Sequence, residues 1–134
     1  MYQADELKMR TKRFAVRIVK LFRSLPRAEE ARIIGRQALR SGTSVAANYR
    51  AACRARSRAE FIAKIGLVVE EADETVFWFE LLVECEIVQS TRMGRLLKEG
   101  NELLAIFAAS QYTAKNRQTN SSSRAKTQRT KVSE

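Results

Sequence analysis

The sequence predicts an all-α protein that folds as an antiparallel up-down four-helix bundle. Apolar residues recur every three or four positions along most of the 134-residue chain, which is the pattern of amphipathic helices. The chain has only five glycines and one proline, so turns are few and the helices must be long. This length is typical of a single domain.

The first helix is predicted from Asp5 to Leu25. Pro26 cannot continue it, and we expect this proline in the first turn of the next helix. The apolar stripe, with one polar member, consists of Leu7, Thr11, Phe14, Ile18, Leu21 and Leu25. A separate basic stripe consists of Arg10, Arg13, Arg17 and Lys20.

The second helix is predicted from Arg27 to Arg54 or Arg56. Asn48 lies on its core stripe, where an amide either fixes helix register through a hydrogen bond to another helix or contacts a ligand or neighbouring subunit. The stripe is built mostly from small residues, which permit close helix packing: Ile34, Ala38, Ser41, Val45, Asn48, Ala52 and Ala55. A neighbouring stripe carries Arg36, Arg40, Arg50 and Arg54.

The third helix is predicted from Arg58 to Ile87, with Ser57 as N-cap and Glu60 completing a capping box. Its core stripe is Phe61, Ile65, Val68, Ala72, Thr75 or Val76, Phe79 and Leu82. A second apolar stripe is Leu67, Trp78, Leu81 and Cys85. A helix that is apolar on two faces is either central in the bundle or lines a subunit contact.

The fourth helix is predicted from a cap at Ser90 or Thr91 to about Tyr112. Its stripe is Met93, Leu96, Leu97, Gly100, Leu103, Leu104 and Phe107. The sequence therefore divides into a bundle domain at residues 1–115 and a tail at residues 116–134. The tail has no apolar periodicity and carries five Lys or Arg, so we expect it to be disordered and basic.

Charge is divided unequally between the two halves of a chain whose net charge is +10. Residues 8–58 hold fifteen basic and two acidic residues, a net charge of +13, whereas residues 60–102 carry a net charge of −6. Either the halves neutralise each other within the bundle, or the excess positive charge binds a polyanion. The candidate nucleic-acid-binding residues are Arg10, Arg13, Arg17, Lys20, Arg36, Arg40, Arg50, Arg54, Arg56 and Arg58.

These basic stripes are either a solvated charged face or a phosphate-binding surface. Their arginines favour phosphate binding, because a guanidinium binds phosphate with two hydrogen bonds. Tyr49, beside Arg50, is the aromatic residue best placed to stack on a base. The chain carries no base-reading motif, so binding through these residues would depend mainly on phosphates and on salt.

Catalysis and metal binding are not expected, because the chain contains no histidine. Acidic pairs such as Glu70 and Glu74 cannot build a di-iron site without histidines and acids on the other helices. Cys53 and Cys85 are expected to be reduced and buried, with no cofactor. No apolar run is long enough to span a membrane and no secretory signal is present, so we expect a cytoplasmic location.

Three segments together resemble the bacterial four helix bundle protein family, whose members include proteins encoded in intervening sequences of large-subunit rRNA genes. They are Ser41–Asn48, Ser57–Phe61 and the acidic run Glu70–Glu74, and the resemblance covers about residues 5–112. Many members continue after the asparagine with Ile-Ala-Glu-Gly. This chain has Tyr49–Ala52 instead, so an acid-dependent role there does not carry over.

The resemblance implies an up-down bundle that assembles into a homopentamer and has no established enzymatic activity. A related protein, the accessory variability determinant of diversity-generating retroelements, is a basic pentamer that binds nucleic acid and partners a reverse transcriptase. Our hypothesis is therefore a non-catalytic oligomeric scaffold that binds structured RNA or DNA, as an accessory to a reverse transcriptase in one version. The alternative is an adaptor whose basic surface docks an acidic protein.

Overall fold

Four helices account for the architecture, and they confirm the predicted all-α bundle. The computed structural model describes the backbone of residues 4–133 and the side chains of residues 4–117. Consecutive helices pack against each other, and α1 and α4 make a smaller contact that closes the bundle. The helices are α1 Ala4–Ser24, α2 Glu29–Ala52, α3 Arg58–Glu84 and α4 Ser90–Ser133.

The α1 stripe is buried as the periodicity predicts, but the start of α2 differs from the prediction. Leu7, Phe14 and Ile18 are among its buried side chains. α2 begins at Glu29 with Ala28 as its N-cap, so Pro26 lies in the connection and not in the first helical turn. Leu25 N–H donates to the Phe22 carbonyl at 3.2 Å, which tightens the end of α1 before the proline.

A seam of small residues on α2 brings that helix close to its neighbours. A Cβ atom built on Gly42 would lie 2.2 Å from Ile18 Cδ1, and one on Gly35 would lie 2.3 Å from Leu25 Cδ1. On the α3 side, the hydroxyl oxygens of Ser41 and Thr75 form a buried hydrogen bond of 2.8 Å. The large residues of α1 therefore occupy space that only glycine leaves on α2.

The predicted register role of Asn48 is wrong. Its Nδ2 donates to the Ser44 carbonyl in the same helix at 3.0 Å, and the side chain is only half-buried. The amide is thus satisfied locally, by a bond to the preceding turn. Tyr49 takes the buried position and packs against Phe107 with ring centroids 4.9 Å apart.

α3 has one buried face and one exposed face. Ser57 Oγ accepts from Glu60 N–H at 3.0 Å, which confirms the predicted cap. The stripe from Ile65 to Leu82 is buried. The second apolar stripe is not: Leu67 is 42% exposed and Cys85 is exposed, so the prediction that both cysteines are buried is wrong for Cys85.

The connection after α3 ends that helix three residues before the predicted boundary at Ile87. Glu86 has a left-handed backbone with φ of 59°, and the Ile87 N–H then bonds the Leu82 carbonyl at 2.9 Å. This pattern closes a helix C-terminus. α4 starts at Ser90 and continues past Tyr112.

The predicted disordered tail is residues 116–134; the backbone of α4 runs through it to Ser133, and its side chains are described only as far as Arg117. Its division from the bundle at residue 115 stays a prediction. Among the described residues, no helix is both long enough and apolar enough to cross a membrane.

The seam predicts opposite effects for two glycine substitutions. Gly42→Val should lower the free energy of unfolding by about 1–3 kcal/mol, because the added side chain displaces Ile18 from a filled core. Gly94→Ala should raise it by up to about 1 kcal/mol, because a Cβ there meets nothing within 4 Å. Urea denaturation of both variants measures the free energy of unfolding. An unchanged value in Gly42→Val would contradict the close packing at this seam.

Candidate nucleic-acid interface

Arg10 serves as a link between α1 and α4. Its Nε lies 2.9 Å from Glu99 Oε2, and its Nη2 lies 2.6 Å from Glu99 Oε1. The same Nη2 reaches Glu102 Oε2 at 2.6 Å. The Arg10 and Glu99 side chains retain only 20% and 17% of their exposure. This candidate is therefore neutralised inside the bundle, where charge-assisted hydrogen bonds join the basic and acidic halves.

Arg40 makes the second such link, between α2 and α3. It bonds Glu74, and its Nη1 lies 3.4 Å from Glu71 Oε2. Trp78 Nε1 also donates to Glu74 at 3.2 Å. The Arg40 hydrogen bond holds the pKa of Glu74 below its ordinary value of 4.5 and raises the pKa of Arg40. Arg40 thus has acidic partners that a phosphate would have to displace.

The remaining α1 candidates and Arg36 do not line the two cavities at the C-terminal end of α2. Arg13 and Lys20 are exposed on the outer face of α1, and Arg17 beside them is half-buried. Arg36 is exposed on α2. None of these four forms an ion pair within the described part of the chain.

Six basic residues surround the C-terminal end of α2, where two cavities adjoin. The α1–α2 cavity has a volume of 560 Å³ and is lined by Lys8, Met9, Lys12, Thr43, Ala46, Ala47, Arg50, Cys53 and Arg54. The α2–α3 cavity has a volume of 470 Å³ and is lined by Ala47, Arg50, Ala51, Arg54, Arg56, Glu60 and Lys64. We call the six basic residues of these linings the basic cluster: Lys8, Lys12, Arg50, Arg54, Arg56 and Lys64.

Little negative charge opposes the basic cluster. Lys8 pairs with Asp5 at 3.1 Å, but the Asp5 side chain is 91% exposed, and such surface pairs are weak. Glu60, the one acid in the linings, accepts from the Arg56 N–H at 3.2 Å. Arg50 and Arg54 make no ion pair among the described residues. The cluster therefore carries excess positive charge that is available to an anion.

Three of the ten sequence candidates lie in the cluster, and three of its members were missed. Arg50, Arg54 and Arg56 line the cavities, whereas Arg58 does not. The missed residues are Lys8, Lys12 and Lys64. The spacing of Lys8 and Lys12, one helical turn apart, was the available signal, but only the packing of α1 on α2 places them beside Arg50.

Base stacking by Tyr49 is ruled out by its position. The ring is 6% exposed, and burial together with a hydrogen bond to Cys53 raises the pKa of its hydroxyl. Tyr112 is exposed but lines neither cavity, and Tyr2 lies outside the described residues. No aromatic side chain lines either cavity in the described part. The described residues also contain no cluster of ligands that could hold a metal ion.

Comparison with known proteins agrees with this architecture. The family model of the 23S rRNA-intervening sequence protein matches residues 5–109. The chain belongs to this family. Its structure is similar to that of a protein of unknown function from the S23 ribosomal protein family of Bacteroides thetaiotaomicron VPI-5482. The two are 34% identical, with a TM-score of 0.76 over 81% of this chain and 97% of the other. No curated protein matches the chain.

The Arg40–Glu74 pair predicts a pH-dependent contribution to stability. Because the pKa of Glu74 is lowered in the folded state, the pair stabilises the fold above pH ~4.5 and loses this effect as the pH falls through the lowered pKa. Arg40→Gln should therefore cost up to about 1 kcal/mol at neutral pH and progressively less as acid protonates Glu74. Urea denaturation across a pH series from neutral to acid checks this, and a pH-independent difference would contradict it.

Proposed function

We propose that this protein is a non-catalytic helical scaffold that binds RNA or DNA through the basic cluster. The supporting observation is the convergence of six basic side chains from α1, α2, α3 and the α2–α3 connection on two adjoining cavities that hold one acid. Arginines are prominent among them, and guanidinium groups bind phosphate oxygens in pairs.

Recognition through the cluster depends on phosphates and not on base identity. The linings contain no aromatic residue and no Asn or Gln in the described part of the chain, so the usual side chains that read base edges are absent. Thr43 also lines the α1–α2 cavity, but its hydroxyl donates its proton to the Leu39 carbonyl at 2.7 Å and not to a ligand. Affinity should therefore fall steeply with salt, as expected for counterion release.

Self-association is the second part of the proposal, and the pentamer remains the form that family resemblance favours. Exposed apolar residues lie among charges of opposite sign on two helices. On α1, Val16 is 47% exposed beside basic residues; on α3, Leu67 and Phe77 are 42% and 53% exposed beside acidic residues. Such complementary faces suit a head-to-tail contact between copies.

Charge reversal in the cluster tests nucleic-acid binding. Arg50→Glu should weaken binding to a structured RNA at least tenfold at low salt and reduce the salt slope, because it removes a phosphate contact and adds repulsion. The matched control is Arg95→Glu, an equal charge change at an exposed site on α4. Fluorescence anisotropy across a salt series measures both.

Comparison with the control variant shows whether binding depends on the basic cluster or only on the net charge of the protein. Equal losses in the two variants would contradict a localised site, and binding that is absent or indifferent to salt would contradict nucleic-acid recognition.

The alternative, an adaptor for an acidic protein, predicts a protein partner that survives nuclease treatment in a pull-down. In the favoured hypothesis, the protein partner that the resemblance suggests is a reverse transcriptase, to which this scaffold would be an accessory.

Substitution of the exposed apolar stripe tests self-association. Phe77→Lys places a charge in the proposed contact and should reduce the mass of the assembly measured by sedimentation. The ring packs only against Trp78 among its aromatic neighbours, with centroids 4.9 Å apart, so the monomer should remain folded by circular dichroism. Ile33→Lys, at a 51% exposed position on α2, is the control, and an unchanged mass in Phe77→Lys would reject this contact.

A further inference from the structure

We propose that the α1–α2 cavity accepts one unpaired nucleotide of the bound strand. This inference rests on the proposed nucleic-acid function and adds to it a preference for strands that contain an unpaired nucleotide. It follows from the shape of the cavity, its mixed lining and its charged neighbour on the other side of α2.

The cavity has the size of a binding pocket for a small organic group. Its volume of 560 Å³ falls in the range of about 300–1,000 Å³ that is usual for such pockets. At Gly42 the helices are in close contact through Ile18. One to three turns beyond Gly42, the small side chains of Ala46 and Ala47 on α2 and of Cys53 at its C-cap leave the space between the helices open.

The lining suits both parts of a nucleotide. Lys8, Lys12 and Arg50 offer positive charge to a phosphate. Met9 and the two alanines offer an apolar wall, and a thioether packs well against an aromatic ring. Arg54 can stack its planar guanidinium on a base. Because these contacts use the face of the ring, any base would be accepted.

The α2–α3 cavity is placed to take the adjoining phosphate. Arg50 and Arg54 line both cavities, so they form a ridge that divides them. Lys64 and Arg56 add charge on the far side, next to Glu60. A backbone that crosses the ridge would keep one phosphate near each cavity. The nucleotide must be unpaired, because a paired base is held in the stack of its helix.

Two RNA duplexes that differ by one bulged nucleotide test the inference. The bulged RNA should bind about tenfold tighter, as expected for one base packed against side chains. Ala46→Trp fills the α1–α2 cavity without a change of charge, and Ala46 does not line the α2–α3 cavity. It should abolish the preference for the bulge and leave binding to the perfect duplex unaltered. Ala63→Trp, at an exposed position on α3, is the control and should keep the preference.

The two cysteines provide an independent readout in the wild-type protein. Cys53 is half-buried and lines the cavity, whereas Cys85 is exposed at the opposite end of the bundle. Bound bulged RNA should slow alkylation of Cys53 by N-ethylmaleimide at least fivefold relative to the perfect duplex and leave Cys85 unaffected. Mass spectrometry of the labelled peptides measures both rates.

The outcomes separate this inference from the function on which it rests. Equal affinity for the two duplexes, or a bulge preference that survives in Ala46→Trp, overturns the nucleotide site and leaves phosphate binding intact. Equal alkylation of Cys53 under both RNAs overturns it as well. Absence of binding to either duplex overturns the proposed function itself.

Discussion

The contact between α1 and the glycines of α2 is the constraint on which the rest of the structure depends. Ile18 and Leu25 occupy the space that Gly42 and Gly35 leave open, and this fixes how α1 lies on α2. The same arrangement sets the N-terminal turns of α1 beside the C-terminal turns of α2. It thereby brings lysines and arginines that are forty residues apart to one cavity. A packing requirement in the core thus determines where the surface charge is concentrated.

Charge compensation within the bundle is incomplete, and its pattern is informative. Arg10 and Arg40 each bond acidic side chains of the opposite half. Neutralisation within the bundle therefore applies to these two arginines, and attraction of a polyanion remains the interpretation for the basic cluster. These pairs tie α1 to α4 and α2 to α3. The linings that hold the basic cluster contain one acid, Glu60. Some of the basic residues therefore hold neighbouring helices together through ion pairs, and the others form a surface at one end of the bundle that attracts anions.

Helical periodicity predicted where the helices lie, but it did not predict correctly which of two adjacent residues on α2 is buried. The stripes of α1, α3 and α4 are buried largely as expected. On α2, Asn48 was assigned to the core and Tyr49 was a candidate for base stacking, but Tyr49 is buried and Asn48 is half-buried. The two positions are about 100° apart on the helix, and small residues give a weak apolar signal. The sequence could not show which of them faces the other helices.

By itself, the sequence determined the helices, the capping of α3 by Ser57 and the family, because these depend on local spacing and on residue type. Only the tertiary structure decided which basic residues are neutralised and which converge. Arg10 became a structural link and Lys12 a cluster member, although both lie on one helix two residues apart. That difference arises from the direction in which each side chain leaves α1 relative to α4 and α2, and no local pattern encodes it.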